Sequence, residues 1–256
     1  MKILFCDIDD TMTTHGLLPR ETFEALWNAR EAGLRIVPVT GRPAGWCDHI
    51  ARMWPVDGVI GENGAFYFRK TKSGIERVHV FPPAERAENR IKLERIRQEV
   101  LVAVPGCGIA SDQAYREYDL AVDFCEDVER LSDEAIEKIV AVFNRHGAIA
   151  KISSIHVNGW FGDYDKLSMA KRYIADVDGR NFEDCPQDYA FVGDSPNDEP
   201  MFEAFPISFG VANIAPFLAR LCHKPAHITA SEGGAGFAEV VQALLKNPDW
   251  NSIPLP

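Results

Sequence analysis

The 256-residue sequence has no run of five basic residues, no C-x-x-C pair, no internal repeat and no low-complexity tract. With 27 Lys and Arg against 38 Asp and Glu, the formal net charge is -11. A surface of that sign repels bare nucleic acid and anionic membranes at long range. No apolar stretch approaches the ~20 residues that a membrane helix needs. The N-terminus meets an acidic cluster at Asp7, too early for a secretory signal. The six cysteines, at 6, 47, 107, 125, 185 and 222, are scattered and lack zinc-ligand spacing. Several sit in apolar runs, where a free thiol behaves as a small hydrophobe. The expectation is a cytoplasmic, soluble protein.

What is present is ordinary globular composition, 46% hydrophobic and 25% charged, which excludes disorder, collagen and coiled coil. At this length one large domain, or a domain with a smaller companion, buries enough surface without a disulfide or structural metal. An anionic ligand on so acidic a chain would need a cation at its site to reverse the local field.

The first part of the chain alternates short apolar runs with helical patterns. Residues 2–6, 35–39 and 56–60 read as buried strands, and residues 20–32 and 44–53 as helices between them. In the first helix the apolar stripe is Phe23, Leu26, Trp27 and Ala29, closed by Gly33. The turn Gly61-Glu62-Asn63-Gly64 leads into a hairpin strand at 65–68. Strand and helix in strict alternation predict a parallel sheet with right-handed crossovers. Near Pro82-Pro83 the rhythm changes: a charged helix at 84–104, a strand-like hairpin at 109–124, a helix at 132–146 and a second strand-like hairpin at 148–161. It resumes with a helix at 166–175, a strand at 189–192, a short helix from 197, a strand at 206–211, and a last strand and helix at 226–229 and 235–246. A parallel sheet is therefore interrupted by an α+β insertion of about 80 residues.

Ligands of open parallel sheets bind beyond the carboxyl ends of the strands. The residues at those ends are Asp7-Ile8-Asp9-Asp10-Thr11, Thr40-Gly41-Arg42 and Gly193-Asp194-Ser195-Pro196-Asn197-Asp198, with Lys166 opening the helix after the insertion. Carboxylates crowded on one rim repel unless a cation neutralises them. Hard oxygen donors on an open rim favour Mg²⁺. Asp7 and Asp9 have same-face spacing, so both are expected to point at one centre. A carboxylate beside Mg²⁺ can attack phosphorus, while a second protonates the leaving alcohol and then activates water. Thr40 and nearby amides can bind the phosphoryl group, and Lys166 can offset its charge. Singly, each residue has a plainer reading: Thr40 as a helix cap, Asp10 as a turn residue, Lys166 as a surface lysine.

Together, and in this order, these segments resemble the four motifs of the haloacid dehalogenase (HAD) superfamily of phosphatases. The Asn63-Gly64 turn and the position of the insertion resemble subclass IIB, the Cof-type and sucrose-phosphatase-like group. The resemblance implies an α/β fold: a Rossmann-like core at 1–82 and 161–256, and a C2-type cap domain at 83–160 that governs substrate choice. It implies Asp7 as nucleophile and Asp9 as general acid/base. Mg²⁺ would be held by Asp7, the Asp9 carbonyl and Asp194, supported by Asp198. Thr40, Gly41, Lys166 and Asn197 would hold the phosphate. Asp10 departs from the glycine that many relatives carry there.

Within the insertion, Ser154, His156, Asn158 and Trp160 alternate onto one face. A polar face with an aromatic ring suits sugar hydroxyls, so the expected substrate is a small phosphorylated metabolite, a sugar or polyol phosphate. Arg116 and Tyr118 are further candidates for that surface. The expected activity is Mg²⁺-dependent hydrolysis through an aspartyl phosphate, under a cap that opens and closes. Rival readings are a phosphomutase, a HAD-like binding protein without catalysis, and a phospho-signalling receiver. The last is far shorter and has no use for the Asp194–Asp198 segment. Oligomeric state is not legible.

Overall fold

The computed structural model describes residues 2–153, 155–247, 249 and 250. The chain opens with β1 (Ile3–Cys6), α1 (Arg20–Glu31), β2 (Arg35–Pro38), α2 (Ala44–Met53) and β3 (Val59–Gly61). β3 pairs antiparallel with β4 (Phe66–Thr71), which in turn pairs antiparallel with β5 (Gly74–His79). Next come α3 (Pro83–Ala103), β6 (Gly108–Ile109), β7 (Leu120–Asp123), α4 (Asp133–Arg145), β8 (Ile149–Ile152) and β9 (His156–Trp160). The chain then continues through α5 (Lys166–Asp178), β10 (Tyr189–Gly193), α6 (Glu199–Ala204), β11 (Ile207–Gly210), β12 (His227–Ile228) and α7 (Gly233–Lys246).

Among the described residues, one parallel sheet runs β12-β11-β10-β1-β2. The isolated parallel bridge Val39↔Ile60 brings β3 and its hairpin alongside. The central strands β1 and β10 are apolar at every position, as strands covered on both faces tend to be. One face packs under Leu4, Leu26, Phe209 and Phe237, the other under Phe5, Tyr173, Phe191 and Phe205. In sequence order the sheet reverses beside β1, where β2 and β10 leave to opposite sides, and that switch point opens a crevice.

Residues 108–160 form a second, antiparallel sheet, β6-β7-β9-β8. Leu93, Ile96 and Val100 of α3 and Ile139 and Phe143 of α4 cover one face, with Leu120, Val122 and Val157 beneath them. Strand alternation therefore turns His156 and Asn158 to the opposite face.

Three expectations change. In α1 the buried residues are Thr22, Ala25, Leu26 and Ala29, whereas Phe23 and Trp27 are 38% and 45% exposed. The helix packs on α7, where a Cβ at Gly234 would strike Thr22 and Pro19. Close approach there selects small side chains, so the buried stripe is rotated by one position. The hairpin expected over residues 109–124 forms, but with short arms: β6 pairs antiparallel with β7, and a 3₁₀ turn at Gln113–Tyr115 and an irregular stretch separate the two. The amides of residues 117–119 bond the Glu62 carboxylate instead of a neighbouring strand. Third, Trp160 is 1% exposed and stacks on Tyr164 in the core, so it presents no ring to a ligand. Ser154 lies outside the described residues.

Candidate active site

β1 ends at Asp7, whose amide continues the ladder by donating to Val192 (2.9 Å). The chain then leaves the extended conformation: the amides of Thr11, Met12 and Thr13 converge on the Ile8 carbonyl, and Asp10 takes φ 57°. That left-handed value is one glycine favours, and aspartate is among the few other residues that tolerate it. The Asp10 carbonyl accepts from Asn213 Nδ2 at 2.9 Å, which helps hold the turn.

Beyond the strand end alternation no longer orients the side chains of Asp7 and Asp9. Asp7 joins Asp194 and Asp198, whose oxygens all lie within 4.8 Å of one another. Asp9 lines the same cavity but turns to Arg42, which donates to its oxygens at 2.6 and 3.0 Å. The Arg42 guanidinium also lies 4.6 Å from the centre of the Trp46 ring.

Lys166, 6% exposed, bridges the acidic cluster, with Nζ 2.7 Å from Asp7 and 2.8 Å from Asp198. Its position depends on α5 starting where it does. Asp165 caps the helix through Ser168, and Gly64 (φ 105°) lets the 62–64 turn press against the Asp165 carbonyl, where a Cβ would collide. Asp198 accepts from the Asp194 amide at 3.1 Å, and Gly193 leaves no room for a Cβ beside that carboxylate. Thr11 Oγ1 donates to Asp194 at 3.1 Å.

Burial dominates the electrostatics. It pushes the Asp194 carboxyl up to about 9, helped by the charges of Asp7 and Asp198. Burial likewise raises Asp7 to about 7 against the pull of Lys166. Burial works to lower Lys166, but the Asp198 and Asp7 carboxylates beside it hold it above the ordinary lysine range. Such a cluster of oxygen donors, only partly neutralised by one ammonium, fits a hard divalent cation.

Thr40 is fully buried, and its hydroxyl accepts from the Arg42 amide at 3.0 Å. Gly41, Asn197, Arg116, His156 and Asn158 line one cavity of about 770 Å³ with Asp7, Asp9 and Asp194. Asn197 accepts from Ser195 Oγ at 2.7 Å. Arg116 is tied to Asp112 and Asp119, and Asn158 Nδ2 donates to Asp119 at 2.9 Å. Tyr118 packs among Phe66, Phe81 and Tyr164 instead.

Sequence reasoning assigned no role to Arg42, Glu62 or Asn213. Asn213 donates to Asp194 at 3.4 Å and follows β11, so the strand-end rule would have found it. Arg42 stands inside a quoted segment, but its partner emerges only in three dimensions. Glu62 gave no signal beyond a turn.

Comparison with known proteins bears on the same residues. Residues 4–105, which hold Asp7, Asp9 and Thr40, match the family of haloacid dehalogenase-like hydrolases. That match covers the first part of the chain, through the leading helix of the insertion. Together with the likenesses that follow, it supports a haloacid dehalogenase-like phosphatase of subclass IIB. A phosphoglycolate phosphatase of Methanoculleus marisnigri is 26% identical over 246 residues, covering 94% of this chain and 96% of that one. Among solved structures, a Thermoplasma acidophilum protein aligns at TM-score 0.72 and 16% identity, over 94% of this chain and 97% of its own. The sucrose-phosphatase of Synechocystis, solved with sucrose and phosphate, aligns at TM-score 0.64 and 15% identity, over 94% and 96%. At these identities the structural matches establish the HAD fold, Rossmann-like sheet and cap together. Among the described residues no helix is long and apolar enough to cross a membrane.

Proposed function

We propose that this HAD phosphatase hydrolyses a small phosphomonoester, of the sugar-phosphate class, through an aspartyl phosphate with Mg²⁺ as cofactor. The observation that carries the reading is the buried group Asp7, Asp194, Asp198 and Lys166 at the floor of a polar cavity. Asp7 Oδ attacks phosphorus and the bond to the leaving oxygen breaks, with Asp9 protonating that oxygen. Asp9 then takes a proton from water, which attacks the phosphoryl group and releases Asp7. Thr40, Gly41, Lys166 and Asn197 hold the phosphoryl oxygens in line. The Asp7 and Asp194 carboxylates and the Asp9 carbonyl, with Asp198 behind them, would hold Mg²⁺, which draws charge from those oxygens when bound.

The catalytic core is assigned to residues 1–82 and 161–256 and the cap to 83–160. The cap lining of Asn158, His156 and Arg116 is polar, and a cavity of about 770 Å³ suits a sugar monophosphate. The sucrose-phosphatase and phosphoglycolate phosphatase likenesses support a small phosphorylated metabolite as substrate. The free cysteines fit a reducing cytoplasm. The test is phosphate release from a panel of sugar phosphates, phosphoglycolate and an aryl phosphate, with Mg²⁺ or EDTA, alongside Asp7→Asn. Metal-dependent release that is lost in the variant supports the reading. A sugar monophosphate converted to its isomer without phosphate release would replace it with a mutase.

A further inference from the structure

Glu62 is fully buried, and among the described residues no lysine or arginine pairs with it. A carboxylate in that position is costly unless hydrogen-bond donors surround it. The donors are backbone amides from two parts of the chain. Ala44, the first residue of α2, donates at 2.9 Å from the core. Glu117, Tyr118 and Asp119 donate at 2.9, 2.6 and 3.2 Å from the insertion. Three consecutive amides thus converge on one side chain. Glu62 and Asn63 hold φ of 43° and 57°, a conformation that costs energy for non-glycine residues and persists only when the surroundings enforce it.

The gripped segment leads to the substrate cavity on both sides. Next to it, Arg116 donates to the Gly41 carbonyl at 3.1 Å and to Asp119 at 3.0 Å. Asp119 in turn accepts from Asn158 at 2.9 Å. On the core side, the Asn63 amide donates to the Thr40 carbonyl at 3.0 Å. One carboxylate therefore stands where the phosphate loop, the 62–64 turn and the cap edge meet.

We propose that Glu62 is a positioning residue that fixes the Arg116–Asp119–Asn158 lining of the cap at a set distance from the Thr40–Gly41 loop, and so governs recognition of the leaving group. No hydrogen bond joins the acidic cluster to Glu62 among the described residues: Asp7, Lys166, Asp194 and Asp198 bond one another. Losing Glu62 weakens binding of esters that reach the cap and spares the chemical step. The kinetic part rests on the phosphatase reading; the structural part stands without it.

The test is Glu62→Gln, which replaces one acceptor oxygen with a donor facing amide donors. In the variant, hydrogen exchange at the amides of residues 117–119 accelerates about tenfold or more, while β1 and β10 keep their protection. On the best-hydrolysed member of a panel of glucose 6-phosphate, fructose 6-phosphate and phosphoglycolate, KM rises about tenfold and kcat stays within about threefold. Glu62→Asp, which keeps the charge, recovers part of both effects. Unchanged exchange at 117–119, or a fall in kcat with KM untouched, overturns the proposal. If the wild-type protein hydrolyses no ester, the phosphatase reading fails and the exchange result alone decides on Glu62. Should Glu62→Gln not fold, exchange in the wild-type protein decides: amides at 117–119 as slow as those of β7 support the grip, and fast ones refute it.

Discussion

The Lys166 ammonium lies 2.7 Å from Asp7 Oδ1, between residues 159 positions apart in the chain. It is equally close to Asp198, at 2.8 Å, so one cation separates two buried carboxylates.

Lys166→Met leaves Asp7 and Asp198 facing each other without a counter-charge. Breaking a buried pair by removing one partner costs about 3–5 kcal/mol. In EDTA the variant should unfold at lower urea by that order, and Mg²⁺ should return part of the loss. A variant as stable as wild type in EDTA would mean the carboxylates are neutralised some other way.

The acidic cluster makes a signed prediction for pH. Asp194 and Asp7, raised to about 9 and about 7 from an unfolded value of 3.8, bind more protons in the metal-free fold than in the unfolded chain. Their contribution is therefore fully present below the unfolded value and is lost as pH rises toward 9. Mg²⁺ must displace those protons, so its stabilising effect should grow with pH. Melting temperatures with EDTA and with Mg²⁺ should lie closer together at pH 5.5 than at pH 8.5; a gap independent of pH contradicts the assignment.

Arg42 holds both oxygens of Asp9. Arg42→Ala frees that side chain to sample other rotamers. Misplacing an acid/base group in this way should lower kcat by about tenfold to a hundredfold. Steady-state kinetics at saturating ester would check it, with Arg42→Lys expected to restore little, because a point charge cannot replace a fork.

Gly64→Ala is predicted to damage the site from outside it. The new Cβ meets the Asp165 carbonyl while φ is 105°, so both the clash and the backbone oppose alanine. Losses of about 3 kcal/mol or more are expected where backbone cannot yield. Thermal melting would register the loss, and Mg²⁺ affinity should fall with it as Lys166 shifts.

His156→Ala combined with Asn158→Ala tests the cap face. His156 Nε2 lies 2.8 Å from Glu126, and Asn158 is held by Asp119. The double variant should reorder the preference among sugar phosphates while leaving turnover of an aryl phosphate within about threefold. An unchanged ranking would remove both residues from recognition.

Much of the site was open to reading in one dimension. Asp7, Thr40, Asp194 and Lys166 stand at strand ends or a helix start, and hydrophobic runs mark those places in any sequence. The same local rule recovered β1, β2, β10 and β11, because a strand covered on both faces tends to be apolar throughout. Where the rule assumed regular geometry it failed. Asp9 lies beyond the strand, so alternation no longer orients it, and Phe23 and Trp27 fit a helical stripe that close packing on α7 rotated away.

Sequence by itself, then, determined the order of elements, the insertion and the acidic motifs, since these follow from short-range periodicity and composition. Tertiary structure alone decided the rest. The hairpin at 109–124 keeps only short arms, and one buried carboxylate, Glu62, takes the amides of residues 117–119 between them. Trp160 faces the core because Tyr164 is there to stack on it. Long-range partners carry no local signature, and desolvation makes their hydrogen bonds and charges strong enough to override it.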